Sequence, residues 1–265
     1  MVRKRKLKKP ALFLWTILGT AVLFLAWELG SRLAGSDLIF PGPLPVLKRW
    51  VLLIPNEDFL RALGSSFWRT LLGISISAPL GVGVGIIAGL DPRGGALFRP
   101  LFTAIGATPV MSVILIAFLA LGAERTPIFT AFLMVFPVMA SNTVEGARSV
   151  DPRLKELFRV YALSRGEQVR YLYIPGIMPF ILGGLRSALS LCWKVVVAAE
   201  VLVQPLRALG TGMQRAKAQL ETPDLFAWTL ATVIAAAVSQ GLLSLVMNFF
   251  KVTSLFPKKR GAVYG

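Results

Sequence analysis

Histidine is absent from the 265-residue sequence, and cysteine occurs once, at Cys192. A His-based catalytic triad, a Cys/His zinc site and an intramolecular disulfide are therefore excluded. Cys192 lies inside an apolar run, so we interpret it as a small packing residue rather than a reactive thiol. No paired carboxylates or nucleophile-base sets take the place of histidine, and we expect this chain to hold no metal or cofactor and not to be an enzyme.

Nucleotide-binding patterns are also missing. The pattern G-x-x-x-x-G-K-[ST] does not occur, so any energy taken from ATP must come through a partner. Residues 83–88, GVGIIA, fit G-x-G-x-x-A, but they lie inside an apolar run, without the strand and soluble helix that a dinucleotide site requires. We predict that the glycines of this run instead let helices approach closely in lipid: Gly81, Gly83, Gly85 and Gly89.

Charged residues are scarce. They make up 16% of the chain, against roughly a quarter in an average soluble protein. Hydrophobic residues reach 55%, and several apolar runs have the roughly 18 residues that cross a hydrocarbon core about 30 Å thick. We therefore predict an all-α, polytopic membrane protein. A net charge of +16 also fits nucleic-acid binding, but in membrane proteins basic residues more often collect in cytoplasmic loops.

The apolar runs predict six transmembrane helices. They cover about residues 11–29, 66–90, 100–121, 127–147, 178–203 and 225–250. The first run follows the cationic start MVRKRKLKKP, as a signal peptide would, but it is longer than the roughly 7 to 15 apolar residues of a signal peptide. We therefore keep it as a span. Six spans place both termini on the same side of the membrane.

The distribution of basic residues predicts which side is cytoplasmic. The two terminal segments and the connections on their side of the membrane contain 18 of the 29 lysines and arginines, and the connections on the other side contain 8. Because cytoplasmic segments are enriched in these residues, we place both termini and residues 153–176 in the cytoplasm.

Residues 153–176, RLKELFRVYALSRGEQVRYLYIPG, are charged and amphipathic in an otherwise apolar chain. Apolar residues at i, i+3, i+4 and i+7 from Leu154 predict a helix of about two turns. Ser164 followed by Glu167 is typical of a capping box that begins a second helix, which Pro175 is predicted to end. This pair can lie on anionic headgroups or serve as a docking element for a cytoplasmic partner.

The segments FWRTLLGISISAPLGVGVGIIAGL, ATPVMSVILIAFLALG and LETPDLFAWTL, together with residues 141–202, resemble the permease subunits of ABC importers. The resemblance is to the nitrate/sulfonate/taurine/bicarbonate branch and covers about residue 65 to the end. In that family the cytoplasmic loop usually reads Glu-Ala-Ala, three residues, Gly, and a helix ending in Leu-Pro or Ile-Pro. The matching residues here are Glu156, Ser164, Arg165, Ile174 and Pro175. The departing residues are Leu157 and Phe158, in place of the alanines, and Ala162, in place of the glycine.

The resemblance implies a type I ABC importer permease fold with cytoplasmic coupling helices, in the bacterial inner membrane. Such permeases form dimers, here expected to be homodimers. Each coupling loop docks on one ATPase subunit of a cytoplasmic pair, and an external binding protein delivers a small-molecule substrate for alternating access. The implied coupling residues are Glu156, Leu157, Phe158, Arg159, Tyr161, Ala162, Ser164 and Arg165. The implied domains are residues 1–64, a core at 65–250 with its coupling loop at 148–177, and a basic tail at 251–265.

Ionisable residues within the fifth span are candidates for the translocation pathway, because such residues are costly in lipid. Arg186, Lys194 and Glu200 fall within one third of the helix circumference at 100° per residue. Lys194, with Glu200 nearby, could line the pathway and favour an anionic or polar solute, or could only hold helices together. Arg186 can snorkel to the interface, and Trp193 can contact substrate or pack against a neighbouring helix.

A proton- or ion-coupled secondary transporter or channel is the alternative function. Such proteins usually carry several buried carboxylates or histidines, and here Glu28 and Glu200 give little support. Residues 204–214, QPLRALGTGMQ, are predicted by position to form a re-entrant or external gate region.

Overall fold

A computed structural model describes residues 9–249, and within that range all regular structure is helical. The predicted basic tail at 251–265 lies outside the described residues. Some side chains within the range are also not described: those of residues 9–13, 159, 165 and 249. The helices are α1 Lys9–Ala34, α2 Pro43–Leu53, α3 Glu57–Leu90, α4 Pro92–Ala107, α5 Val110–Arg148, α6 Pro152–Val160, α7 Arg165–Gln168, α8 Ile174–Val203, α9 Leu209–Ala218 and α10 Thr222–Phe249. A π-helical turn, Val169–Tyr173, joins α7 to α8.

Five helices of the described range are long and apolar enough to cross a membrane, so the predicted count of six is not confirmed. The difference arises between residues 92 and 148. The predicted third span is divided between α4 and α5 at Thr108 and Pro109, both of which are extended. The predicted fourth span follows in the same helix α5, after a kink at Gly122, which has φ +74° and ψ 175°. Glycine adopts this positive φ without a steric penalty.

The chain divides into two compact units. The first contains the residues up to Leu60 together with Gly212–Ala231. Within it, Trp27 stacks against Phe226 with ring centroids 6.3 Å apart, and Arg49 forms an ion pair with Asp224 at 3.1 Å. The second unit contains Arg61–Thr211 and the residues from Thr232 onward. The predicted domain boundary at residues 64 and 65 stays a prediction.

The second unit is built around α5 and α8. Their buried small and branched side chains form one cluster: Ala131, Val135, Met139, Ala188, Cys192 and Val196. The thiol of Cys192 is fully buried and donates to the carbonyl oxygen of Thr70 at 3.4 Å. Cys192 is therefore a packing residue, as its apolar context predicts.

Three glycines of α3 lie against α5. A Cβ at Gly81, Gly85 or Gly89 would come within 2.5–2.6 Å of a side-chain atom of α5, closer than real atoms approach. The prediction of close helix approach is therefore confirmed for these three residues. It is not confirmed for Gly83, where, among the described residues, no atom of a neighbouring helix lies within 4 Å of a Cβ position. Gly83 lies two residues from Gly81, and at 100° per residue this turns it away from α5.

The two predicted amphipathic helices correspond to α6 and α7. The second does not end at Pro175 as predicted: the π-helical turn carries the chain into α8 without a break. The amide of Ile174 donates five residues back, to the carbonyl of Val169. Proline lacks an amide hydrogen and clashes with the carbonyl four residues earlier in a regular helix. The wider π turn precedes Pro175 and accommodates it, so the proline falls in the first turn of α8.

Candidate functional site

Residues 152–173, which we call the amphipathic segment, present apolar and charged side chains together on the surface. Leu157 is 48% exposed and Tyr161 is 71% exposed. Glu156, Ala162 and Ser164 are also exposed, and Phe158 is half-buried. The backbones of Arg159 and Arg165 lie in α6 and α7, and their side chains are outside the description.

A Schellman motif ends α6 at the position where the related loops carry glycine. The amide of Leu163 donates to the carbonyl of Phe158 at 3.1 Å, and Ala162 between them has φ 49°. This left-handed conformation costs an L-residue other than glycine roughly 1–2 kcal/mol. The departure at Ala162 therefore keeps the backbone turn and lowers its stability.

A capping box begins α7, as predicted. The amide of Ser164 donates to the carboxylate of Glu167 at 2.8 Å, and the amide of Glu167 donates back to the hydroxyl of Ser164 at 3.3 Å. In addition, Lys155 of α6 lies over the ring of Tyr173, 5.8 Å from its centroid. These contacts fix α6 against the turn that leads into α8.

The four predicted pathway residues lie in different environments along α8. Lys194 is exposed and, among the described residues, makes no hydrogen bond or ion pair. Arg186 is exposed, and its carbonyl accepts a hydrogen bond from Gln240 at 2.9 Å. Trp193 is buried and donates its indole N–H to the hydroxyl of Ser239 at 3.2 Å. Glu200 is completely buried.

Glu200 pairs with Arg69 of α3 rather than with Lys194. One guanidinium nitrogen of Arg69, Nη1, donates to the Glu200 carboxylate at 3.0 Å. The hydroxyl of Ser66 and the amide of Gly210 also donate to that carboxylate, at 2.8 and 3.2 Å. A buried carboxylate needs such partners, because removing an unpaired charge from water costs several kcal/mol. The pair therefore joins α3, α8 and the start of α9.

Arg69 also holds a second carboxylate, Glu124, which follows the Gly122 kink. Nη2 of Arg69 donates to Glu124 at 2.5 Å, while the amide of Leu206 donates to the other oxygen of Glu124 at 2.9 Å. Nη1 also donates to the carbonyl of Arg207 at 2.9 Å. We call Ser66, Arg69, Glu124 and Glu200 the Arg69 cluster. It connects the predicted gate region to both α3 and α5.

Sequence reasoning did not assign a role to Ser66, Arg69 or Glu124. The position of Arg69 within the predicted second span is the signal that could have revealed the cluster, because intramembrane charges are costly and usually paired. Its partner Glu200 lies 131 positions away, however, and Glu124 lies 55 positions away. No helical or strand period relates residues so far apart, so the pairing follows only from the packing of the helices.

A cavity of about 450 Å³ opens beside the Arg69 cluster. Its ionisable lining residues are Arg61, Arg69, Glu124 and Arg207. With the buried Glu200 that pairs with Arg69 included, three cations face two carboxylates, so the charge around the cavity stays net positive. The cavity is therefore suited to an anionic or strongly polar small molecule.

Comparison with known proteins identifies the family. A sequence model of the binding-protein-dependent transport system inner membrane component matches residues 81–253, more than half of the chain. The chain belongs to this family. The matched region contains the amphipathic segment, α8 and Glu124, whereas Ser66 and Arg69 precede it.

Several permease proteins of named transport systems are similar to this chain over most of their length. The bicarbonate transport system permease protein of Synechococcus elongatus is 30% identical over 253 residues, covering 91% of this chain and 87% of its own. The nitrate import permease protein of Synechocystis is 27% identical, covering 94% and 92%. The taurine transport system permease protein of Escherichia coli is 27% identical, covering 86% of each chain.

This chain is thus a multi-pass membrane protein and a permease subunit of an ABC importer, as the resemblance implied. It is a transport subunit rather than an enzyme, because the family supplies the membrane component of a transport system. Membership also implies that it works with ATPase subunits and with a substrate-binding protein.

Proposed function

We propose that this permease imports a small anionic solute and that its amphipathic segment docks on a cytoplasmic ATPase. One observation carries the docking proposal. The segment exposes Leu157 and Tyr161 beside charged residues, and hydrogen bonds fix its backbone where α6 ends and where α7 begins. Exposed apolar side chains rimmed by polar ones are typical of a surface for a protein partner. In this proposal a second copy of the chain completes the transporter, and each chain crosses the membrane six times, so that both termini lie in the cytoplasm.

The segment is built to transmit a rigid movement. Asp151 accepts a hydrogen bond from the amide of Arg153 at 2.8 Å, and the amide of Ser149 donates to the carbonyl of Glu145 at 2.9 Å, so the passage from α5 to α6 is capped. At its other end the segment continues through the π turn into α8. A force applied by a nucleotide-driven partner therefore reaches both α5 and α8 through hydrogen-bonded turns.

The anionic class of solute is supported by charge. The cavity beside the Arg69 cluster is net positive, and Lys194 is an exposed cation on α8. The names of the relatives described above refer to bicarbonate, nitrate and taurine transport. We propose a small oxyanion of this kind as the substrate.

Cysteine cross-linking tests the docking and the orientation together. In a Cys192→Ser background, we expect Tyr161→Cys to cross-link to the ATPase subunit and to resist a membrane-impermeant maleimide added to spheroplasts. Leu206→Cys is the matched control, because its side chain is 80% exposed and lies at the proposed external end. We expect it to be labelled from outside and not to cross-link. External labelling of Tyr161→Cys would contradict the proposal.

Replacing Lys194 with methionine tests its place in the pathway. We expect ATP-dependent uptake of the anionic solute by vesicles to fall about tenfold, because an attraction of about 1.4 kcal/mol corresponds to that factor. Lys194→Arg keeps the charge and should retain most of the uptake. Uptake and selectivity that are unchanged in Lys194→Met, at equal protein levels, would remove Lys194 from the pathway.

A further inference from the structure

The carboxylate of Glu124 is held as an oxyanion ligand would be held. Each of its oxygens accepts from a different donor: Nη2 of Arg69 at 2.5 Å and the amide of Leu206 at 2.9 Å. The Glu124 side chain is nevertheless 59% exposed. Charge-assisted hydrogen bonds of this geometry recognise any planar or tetrahedral oxyanion, not only a side-chain carboxylate.

The two terminal nitrogens of the Arg69 guanidinium, Nη1 and Nη2, have different partners. Nη1 is held by the buried Glu200 and by the carbonyl of Arg207, so the guanidinium keeps its position without Glu124. Nη2 bonds Glu124 at the wall of the cavity of about 450 Å³. A nitrate, bicarbonate or sulfonate group is small enough to enter a cavity of that volume.

We propose that the cavity is an anion-binding site at the external end of the permease, in which an incoming oxyanion displaces Glu124 from Arg69. The proposal rests on the import of an anionic solute proposed above, and it names the residue that receives the anion. Glu124 is then an internal competitor that occupies Arg69 while no solute is present. Its exposed side chain can turn into water, so its release leaves no buried charge.

The exchange also has a structural consequence. When Glu124 leaves, the amide of Leu206 donates to the oxyanion instead, and the connection between α8 and α9 loses its contact with α5. Arrival of the anion therefore loosens the predicted gate region at the point where the solute enters. The Glu200 pair persists and keeps α3, α8 and α9 together.

Removal of the internal competitor tests the proposal. We expect Glu124→Gln to raise the affinity for nitrate about tenfold, because a ligand no longer has to displace a charged hydrogen-bonded carboxylate. The measurement is a thermal-shift titration of the full chain, in nanodiscs with its ATPase subunits, since a ligand that binds only the folded state raises the unfolding temperature. Sodium nitrate is the probe, with sodium chloride at equal ionic strength as the control.

Glu145→Gln is the matched variant. It makes the same change on an exposed glutamate of α5, 21 positions from Glu124 and thus about 30 Å along the helix. We expect it to leave the nitrate affinity unchanged. Equal nitrate affinity in Glu124→Gln and the unaltered chain would overturn the proposal, as would an equal response to chloride. Because this assay measures binding without transport, its failure alongside intact ATP-driven uptake would leave the proposed function in place.

Discussion

Replacing Gly85 with alanine is expected to destabilise the permease by about 1–3 kcal/mol, through overpacking of α3 against α5. The added Cβ would lie 2.5 Å from the Cβ of Thr143 and 2.7 Å from the carbonyl oxygen of Ala140. Thr143 is itself buried and bonded to the carbonyl of Met139, so neither neighbour can move without shifting backbone. The measurement is the thermal unfolding temperature of the purified chain in detergent.

Gly83→Ala is the matched control for this prediction. It makes the same chemical change in the same helix, where no atom of a neighbouring helix in the described part of the chain lies within 4 Å of the new Cβ. Alanine is the better helix former by roughly 1 kcal/mol, so we expect the unfolding temperature to stay the same or rise. Equal losses in both variants would show that helix packing is not the cause.

Removing one partner of the Arg69–Glu200 pair is expected to cost about 3–5 kcal/mol, the largest effect that we predict. In Arg69→Met, the carboxylate of Glu200 stays fully buried and keeps only the neutral donors Ser66 and Gly210. In Glu200→Met, the guanidinium of Arg69 keeps only Glu124 and one carbonyl oxygen. Scanning fluorimetry of the purified variants measures both losses.

The double variant Arg69→Met/Glu200→Met separates the pair from its surroundings. Because two apolar side chains leave no buried charge unpaired, and Glu124 is 59% exposed to solvent, we expect the double variant to be more stable than either single variant. Glu124→Gln removes the exposed carboxylate partner of Arg69 instead of the buried one. We expect it to lower the free energy of unfolding by at most about 1 kcal/mol, as is usual for a solvent-screened ion pair. If the single losses simply add in the double variant, the two residues do not act as a pair.

Local features were predictable wherever a short spacing carries the physics. The capping box at Ser164 and Glu167 needs only residues three positions apart, and it formed as predicted. The apolar face from Leu154 likewise gave α6. The end predicted at Pro175 was wrong, because a π turn accommodates proline without ending the helix. The predicted third span was also wrong in its bounds, because the extended Thr108 and Pro109 divide it between two helices. The predicted fourth span continues the same helix as the end of the third, because Gly122 kinks that helix without ending it.

The sequence by itself determined the helical membrane class, the family and the amphipathic segment, because each depends on composition or on residues close together in the chain. Only the tertiary structure decided that Arg69 meets Glu200 and Glu124, and that Gly85 but not Gly83 lies against α5. An unpaired charge or a glycine in an apolar run marks a position that needs a neighbour. The identity of that neighbour depends on how distant helices pack, which no periodicity in the sequence records.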